Sequence, residues 1–349
     1  MPLDPQKLIL LILPLAVLFL NTGAASNRPF KPAWWCPGAH IQTIAGALFR
    51  ADPNVPLRQE RLKTPDGDFI VLDWLEGRER TPLVVILHGL GGSANVTYVH
   101  TLLEKIQARG WQAVAVNARG STEPNLLPET NHGGQTKDLD WTIRTILERK
   151  KADKIYLVGF SIGGNQSLKW LGEQGAGAPV EKAVVVSVPY NLETTVRNLD
   201  KGFNQKVYTS RMLKALKPRS LDKATRFPGS LDAKKVAEAK TFEVYDREAT
   251  ARLNGYKDEI DYWGQSSSEN FLDKIRRPTL LIHAANDPLL PERDLPLEEI
   301  KSNPGYLELL LTRDGGHLGF VSGKCPFRLD DWLEQTILDF FTTAAPNHS

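Results

Sequence analysis

Short runs of Val, Ile and Leu, each nearly unbroken in hydrophobicity, recur along the chain. They read "FIVLDWL" (69–75), "LVVILH" (83–88), "AVAVN" (113–117), "IYLVGF" (155–160), "AVVVSV" (183–188), "TLLIHAA" (279–285) and "LELLLT" (307–312). A strand with one wet face alternates apolar and polar residues. An unbroken apolar strand is covered on both faces, as in a parallel sheet. Between the runs lie stretches with apolar residues at helical spacing. "TYVHTLLEKIQARG" (97–110) ends on Gly110, a helix stop, and "TKDLDWTIRTILERK" (136–150) opens on Thr and Asp and closes on basic residues, as the helix dipole favours. "CPFRLDDWLEQTILDFFTT" (325–343) reads as a closing helix. Strand, helix, strand alternation predicts an α/β domain with a doubly wound, mostly parallel sheet.

The alternation fails once. From Tyr190 to Arg277 no clear strand occurs over about ninety residues, too long for an ordinary loop. "YTSRMLKALKPRSL" (208–221) and "AKKVAEAKTFEVYDREAT" (233–250) read as helices there. The segment leaves after one strand and returns before the next, at the carboxyl edge where α/β ligands bind. A helical cap over about 191–277 is the expectation, against extra helices with no role at a site.

The ends and the composition set further bounds. "LILLILPLAVLFL" (8–20) is apolar throughout, no charge falls between Lys7 and Arg28, and the small residues "NTGAAS" (21–26) follow. Residues 1–27 are expected to be a signal peptide, cut after Ala25, or a membrane anchor, leaving 28–349 as the folded domain. Export or anchoring through residues 8–25 is the expected localisation, and a misassigned start with a cytoplasmic protein is the alternative. Cys36 and Cys325 lie far apart without metal-ligand spacing, so no zinc site is expected, and unpaired thiols are favoured over one bridge. A net charge of +2 leaves no footprint for nucleic acid.

One strand ends abruptly in chemistry. "IYLVGF" runs into Gly159-Phe160-Ser161-Ile162-Gly163, a G-x-S-x-G pattern. In a nucleophile elbow the serine occupies a sharp strand-to-helix turn, and glycines are required because the two backbones pass too close for side chains. The pattern recurs by chance in chains rich in Gly and Ser, so its surroundings decide. A serine hydroxyl needs a base within hydrogen-bond reach and an acid to orient that base, and in folds built on this elbow they follow in the order Ser, acid, His. Three histidines follow Ser161. His283 lies inside an apolar strand and His348 is the penultimate residue, whereas His317 sits on the Gly-rich turn "TRDGGHLGF" just past a strand. His317 is the expected base. Asp287, directly after the strand before it and fixed by Pro288, is the expected acid. Asp314 is too close to His317 along the chain, and Asp138 and Asp140 precede the serine and read as helix-start residues. An oxyanion hole is expected from the backbone N–H groups of Ile162 and of Leu90, in "ILHGLGGSAN" (86–95).

"WWCPGAHIQTI" (34–44), "ILHGLGGS" (86–93), "NARGSTEPN" (117–125), "VGFSIGGN" (158–165), "ARLNGYKDEIDYW" (251–263), "TLLIHAANDPLLP" (279–291) and "GGHLGF" (315–320) together resemble the YheT-type α/β-hydrolases, a group of carboxylesterases whose eukaryotic relatives include membrane-anchored lipid hydrolases. The resemblance spans about residues 30–340. It implies the α/β-hydrolase fold, Ser161, Asp287 and His317 as the triad, and hydrolysis of short- to medium-chain acyl esters or acylglycerols. Two departures stand out: Arg119-Gly120-Ser121-Thr122 replaces a loop that usually reads Arg-Gly-Cys-Ser and is one residue longer, and the apolar N-terminus is foreign to cytosolic bacterial members.

The expected activity is therefore a serine hydrolase of carboxylic esters, with a small acyl ester or lipid as substrate, no metal or organic cofactor, and membrane association through the N-terminus. An acyltransferase or thioesterase shares the same acyl-enzyme, and a non-catalytic binding protein or a membrane-attached scaffold keeps the fold without the chemistry. Met212, Leu213, Leu216 and Phe203 are expected to shape an acyl pocket.

Overall fold

A computed structural model of the chain describes residues 28–149, 152–325 and 328–343. The expected leader or anchor segment, and His348, lie outside the described residues. Among the described residues no helix is long and apolar enough to cross a membrane.

The apolar runs form strands β2 (Phe69–Leu75), β3 (Leu83–Leu87), β4 (Gln112–Asn117), β5 (Ile155–Phe160), β6 (Lys182–Val186), β7 (Thr279–Ala284) and β8 (Leu307–Thr312). With β1 (Arg58–Lys63) they build one eight-stranded sheet in the order β1-β2-β4-β3-β5-β6-β7-β8. From β4 to β8 every pairing is parallel, while β2 runs antiparallel to both β1 and β4. Strand β1, "RQERLK", went unseen in the sequence because only Leu62 turns a buried apolar side chain inward. Its charges suit a sheet edge, where an apolar strand would invite pairing with another chain.

Alternate residues of the central strands feed two cores. Leu83, Val85 and Leu87 of β3 join Leu157 under α3 (Lys137–Glu148) and α4 (Ile162–Gln174). Val84 and Ile86 join Val158 under α2 (Thr97–Ala108) and the C-terminal helix. That helix spans only Trp332–Thr342. The helix was expected from Cys325, but Cys325 and Arg328 pair in an antiparallel bridge instead, and the helix begins only at Trp332. An N-terminal helix, α1 (Ala39–Phe49), packs beside the loop after β8, and its Gly46 lies so close to Gly319 that a Cβ would stand 2.7 Å from the Gly319 Cα. Cys36 is buried, Cys325 is exposed, and the two are not bonded.

Between β6 and β7 the chain is helical: α5 (Leu192–Leu199), α6 (Ser210–Arg226), α7 (Ala233–Glu238), α8 (Phe242–Tyr245) and α9 (Glu259–Ser266), followed after β7 by α10 (Leu297–Ser302) and, at the C-terminus, α11 (Trp332–Thr342). The run 233–250, expected as one helix, breaks after Glu238. Thr241 then caps a new helix by accepting the Val244 N–H at 3.3 Å, a local bond that competes with continuing the first helix. The apolar faces of these helices form a third core that reaches Ile162, Leu289 and Leu290 at the carboxyl edge of the sheet.

Below that edge lies a buried ionic cluster. Arg119, just past β4, donates from Nε and Nη2 to both carboxylate oxygens of Asp138 at 2.7 Å, and from Nη1 to Asp66 at 2.7 Å and Asp68 at 3.3 Å. Asp138 is thus more than a helix-start residue. Against the burial that raises it, the pKa of Asp68 is held low by Asn125 and by the N–H groups of Leu126, Phe69 and Leu127. Replacing one partner of such a cluster leaves charges buried and uncompensated. Arg119→Met is expected to cost about 3–5 kcal/mol in urea unfolding; a loss under ~1 kcal/mol would show that the cluster does not tie α3 to the β1–β2 turn.

Candidate active site

Parallel strands end on the same edge, so the residues that follow β3, β5, β7 and β8 gather there. After β5 the backbone turns sharply. Ser161 has φ 52° and ψ −120°, outside the regions that non-glycine residues favour. The turn is held by the Ser161 N–H donating to Val186 at 2.9 Å and by the Ser161 carbonyl accepting from Gly164 and Asn165. Two glycines permit it. A Cβ on Gly159 would lie 2.5 Å from Ser167 Oγ and 2.6 Å from the Gly163 carbonyl, and one on Gly163 would lie 2.6 Å from the His88 carbonyl. The backbones after β3 and β5 therefore touch at the serine.

Ser161, Asp287 and His317 come together. His317 Nδ1–H donates to Asp287 Oδ2 at 2.8 Å, and on the far side of the ring Nε2 lies 3.1 Å from Ser161 Oγ, placed to accept its proton. Asp287 is buried. Its Oδ1 accepts from the Leu289 and Leu290 N–H groups at 2.9 and 3.1 Å, which fixes the carboxylate plane. The His317 loop is held by residues that the sequence did not single out. Thr43 of α1 accepts the His317 N–H at 2.9 Å and donates to Ala39, Asn286 accepts the Gly316 N–H at 3.0 Å, and Ser187 accepts the Leu318 N–H at 3.3 Å. Thr43 and Asn286 lie inside runs that carry the family resemblance, but nothing local gives either of them or Ser187 this role, because each acts across a long stretch of sequence. His283 is buried in β7 and donates from Nε2 to the Leu290 carbonyl at 2.9 Å, so it bonds neither Ser161 nor Asp287. Asp314 accepts from Asn286 at 2.9 Å, and Asp140 accepts from Arg144 and Trp170.

The loop after β3 lies against the elbow. Tyr98 of α2 accepts the Gly89 N–H at 2.9 Å, and burial pushes the phenol up to about 12, so it stays a neutral partner. His88 donates from Nδ1 to the Gly89 carbonyl and accepts the Ala118 N–H at Nε2, which fixes a neutral tautomer. Ile162 opens α4, where the first N–H groups of a helix have no intrahelical acceptor. Among the described residues the N–H groups of Leu90 and Ile162 donate to no protein acceptor, and both residues line the cavity in front of Ser161.

That cavity has a volume of about 460 Å³ and opens between the sheet edge and the helices inserted after β6. Ser161 and His317 form its floor, and Met212 and Leu216 of α6 and Leu192 and Val196 of α5 line its apolar side. Two expectations fail here. Leu213 is buried within the helical core, and Phe203 is half exposed, with its ring 4.5 Å from that of His40 of α1, outside the cavity. Leu213 lies one residue, about 100° of helix, from Met212 and so faces the other side of α6.

Three comparisons bear on this site. Residues 82–324 match the family model of the alpha/beta hydrolase fold. A protein of Escherichia coli (strain K12) named "Putative esterase YheT" is 37% identical over 91% of this chain and 94% of its own length. "Phospholipase ABHD3" of Homo sapiens is 28% identical over 90% of this chain and 78% of its own, and "Monoacylglycerol lipase" of Saccharomyces cerevisiae (strain ATCC 204508 / S288c) is 29% identical over 76% and 60%. Among solved structures, an esterase of Pyrococcus furiosus superposes with a TM-score of 0.51 at 16% identity, covering 76% of this chain and 84% of its own. An acylaminoacyl peptidase superposes at 0.55 with 14% identity, covering 87% and 44%. At such identities the likeness is one of fold.

Two buried histidines on the cavity wall tie the stability of this edge to pH. Burial, together with the charge of Arg219, lowers His88 to about 4 despite its bond to Gly89, and burial with Lys169 and Lys137 nearby lowers His132 to about 3. A folded pKa below the unfolded one means that stability is complete above about 6.5 and is lost as pH falls, because the unfolded chain takes up protons first. Each histidine contributes a slope approaching 1.4 kcal/mol per pH unit between about 6.5 and its folded value. Urea midpoints at pH 7 and pH 5 are expected to fall less in His132→Asn, which keeps an acceptor for the Gly134 N–H, than in the parent chain. An equal fall in both would contradict the assignment.

Proposed function

We propose that this chain, which belongs to the α/β hydrolase fold family, is a serine hydrolase that cleaves carboxylic esters through an acyl-enzyme on Ser161. The observation that carries the reading is the continuous relay from Ser161 Oγ through His317 to the buried Asp287 carboxylate, at 3.1 and 2.8 Å. Relatives named esterase, phospholipase and monoacylglycerol lipase support ester or lipid substrates for a site of this kind.

The chemistry follows from the geometry. His317 Nε2 takes the hydroxyl proton as Ser161 Oγ bonds to the acyl carbon, and Asp287 stabilises the imidazolium that forms. The negative charge moves onto the carbonyl oxygen, where the Leu90 and Ile162 N–H groups receive it. The bond from the acyl carbon to the alcohol oxygen then breaks, and His317 returns its proton to that oxygen. Water repeats the sequence on the acyl-enzyme: His317 accepts its proton, the hydroxyl bonds to the acyl carbon, and Ser161 leaves with the proton. The helices over about 191–277 act as the cap. Met212 and Leu216 bound the acyl chain, in keeping with short- to medium-chain esters.

The test is hydrolysis of p-nitrophenyl esters from acetate to palmitate by the full chain. Ser161→Ala is expected to lower kcat by about 10⁴-fold or more while leaving the thermal midpoint within a few degrees. Leu216→Trp is expected to move the optimum to shorter acyl chains. Full turnover by Ser161→Ala would end this reading.

A further inference from the structure

Helix α6 presents a stripe to the cavity whose chemistry changes along its length. Met212, Leu216, Arg219 and Lys223 all line the cavity, at helical spacings of four, three and four residues. Over eleven residues, roughly 16 Å of helix, the wall passes from apolar to cationic. The apolar end packs with the third core, where Leu192, Val196 and Leu289 also reach the cavity. The cationic end lies over the loop 119–127, whose Ser121, Asn125 and Leu127 carbonyls face it.

The cations of this wall differ in their partners, although the three aspartates around Arg119 offset much of its positive charge and Asp68 among them also acts on Lys223. Glu123 pairs with Arg61, Asp222 with Arg226, and Arg119 with Asp66, Asp68 and Asp138. Asp246 is raised to about 7 by burial, with Trp263 and Thr250 donating to it. Among the described residues Arg219 and Lys223 have no carboxylate within ion-pair distance. Lys223 is nonetheless saturated, with its ammonium donating to Asn125 Oδ1 at 2.6 Å and to the Leu127 and Asn125 carbonyls. Arg219 is not. Only its Nη2 is engaged, at 3.2 Å to the Ser121 carbonyl and 3.4 Å to that of Gly91. Its Nε–H and Nη1–H groups make no hydrogen bond among the described residues, out of the five N–H donors a guanidinium carries. A half-buried guanidinium with an open donor edge is built to take a planar or tetrahedral oxyanion in two parallel bonds. Its contact with Gly91, next to Leu90, sets it beside the loop that faces Ser161.

We propose that Arg219 is the receptor for an anionic group, carboxylate or phosphate, on the alcohol portion of the ester, and that the chain prefers such esters to neutral ones. The inference rests on the ester-hydrolase reading of Ser161. With the acyl chain along Met212 and Leu216, the alcohol portion points to the cationic end of the stripe. Arg219 sets specificity and takes no part in bond breaking.

The test uses the full chain and three butyrate esters of one skeleton: 1-butyrylglycerol, 3-butyrylglycerate and 1-butyrylglycerol 3-phosphate. The expected kcat/KM for at least one anionic ester exceeds that for the neutral ester by tenfold or more, and the glycerate and phosphate arms tell which anion is read. Arg219→Gln should cut that preference about tenfold, chiefly through KM, and Arg219→Lys should recover part of it. Equal kcat/KM for all three esters in the parent chain, or a proportional loss on all three in Arg219→Gln, would overturn the proposal and leave ester hydrolysis standing. No turnover of these or of p-nitrophenyl esters would remove the underlying reading as well. Should Arg219→Gln fail to fold, inhibition of p-nitrophenyl butyrate hydrolysis in the parent chain decides. Glycerol 3-phosphate or glycerate should compete with Ki at least tenfold below that of glycerol, and inhibition no stronger than by glycerol would overturn the proposal.

Discussion

The close crossing of three backbones at Ser161 is the constraint on which the site depends. Strand β5 must stop, turn through a residue at φ 52° and re-enter as helix α4 while the chain leaving β3 passes within van der Waals contact. A backbone in that region costs of order 1–3 kcal/mol for a residue other than glycine, and it persists only where the surroundings over-determine it. Here they do. The Ser161 N–H is tied to β6, its carbonyl to the first turn of α4, and the chain on either side packs so closely that Gly159 and Gly163 have no room for a side chain. The serine hydroxyl is left at the sheet edge, facing the cavity.

The loops that meet this turn are rigid for a different reason. Each is pinned by hydrogen bonds: His317 and its neighbours by Thr43, Asn286 and Ser187, all distant in sequence, the loop after β3 by Tyr98, and Asp287 locally by the two N–H groups that follow it. These bonds orient the groups before any substrate arrives, and such preorganisation is where most of the benefit of a catalytic site lies. The helices after β6 differ again. They bury a core of their own and present the sheet edge with a wall that is apolar at one end and cationic at the other.

Much of this was legible in the sequence, because the strands of a covered sheet are written as unbroken apolar runs and the elbow as glycines around a serine. The order of Ser161, Asp287 and His317 along the chain, each just past a strand, was enough to place them on one edge and within reach of one another. What stayed hidden is non-local. Strand β1 carries mostly charged residues, and its pairing with β2 is decided by the partner rather than by its own pattern. Thr43 and Asn286 lie in runs that the family resemblance marks, yet their role shows only once α1 and the loop after β7 are folded against the His317 turn. The helix expected over 233–250 broke because a Thr side chain captured a backbone N–H, a local contest that apolar spacing does not record. Phe203 was expected in the pocket on hydrophobicity alone, yet its ring turns to His40.

The most direct measurement is covalent. The full chain, incubated with a fluorophosphonate and digested, is expected to carry one adduct, on the peptide containing Ser161, formed far more slowly in His317→Ala. An adduct on a different serine, or none on a folded chain, would contradict the assignment of Ser161 as the nucleophile.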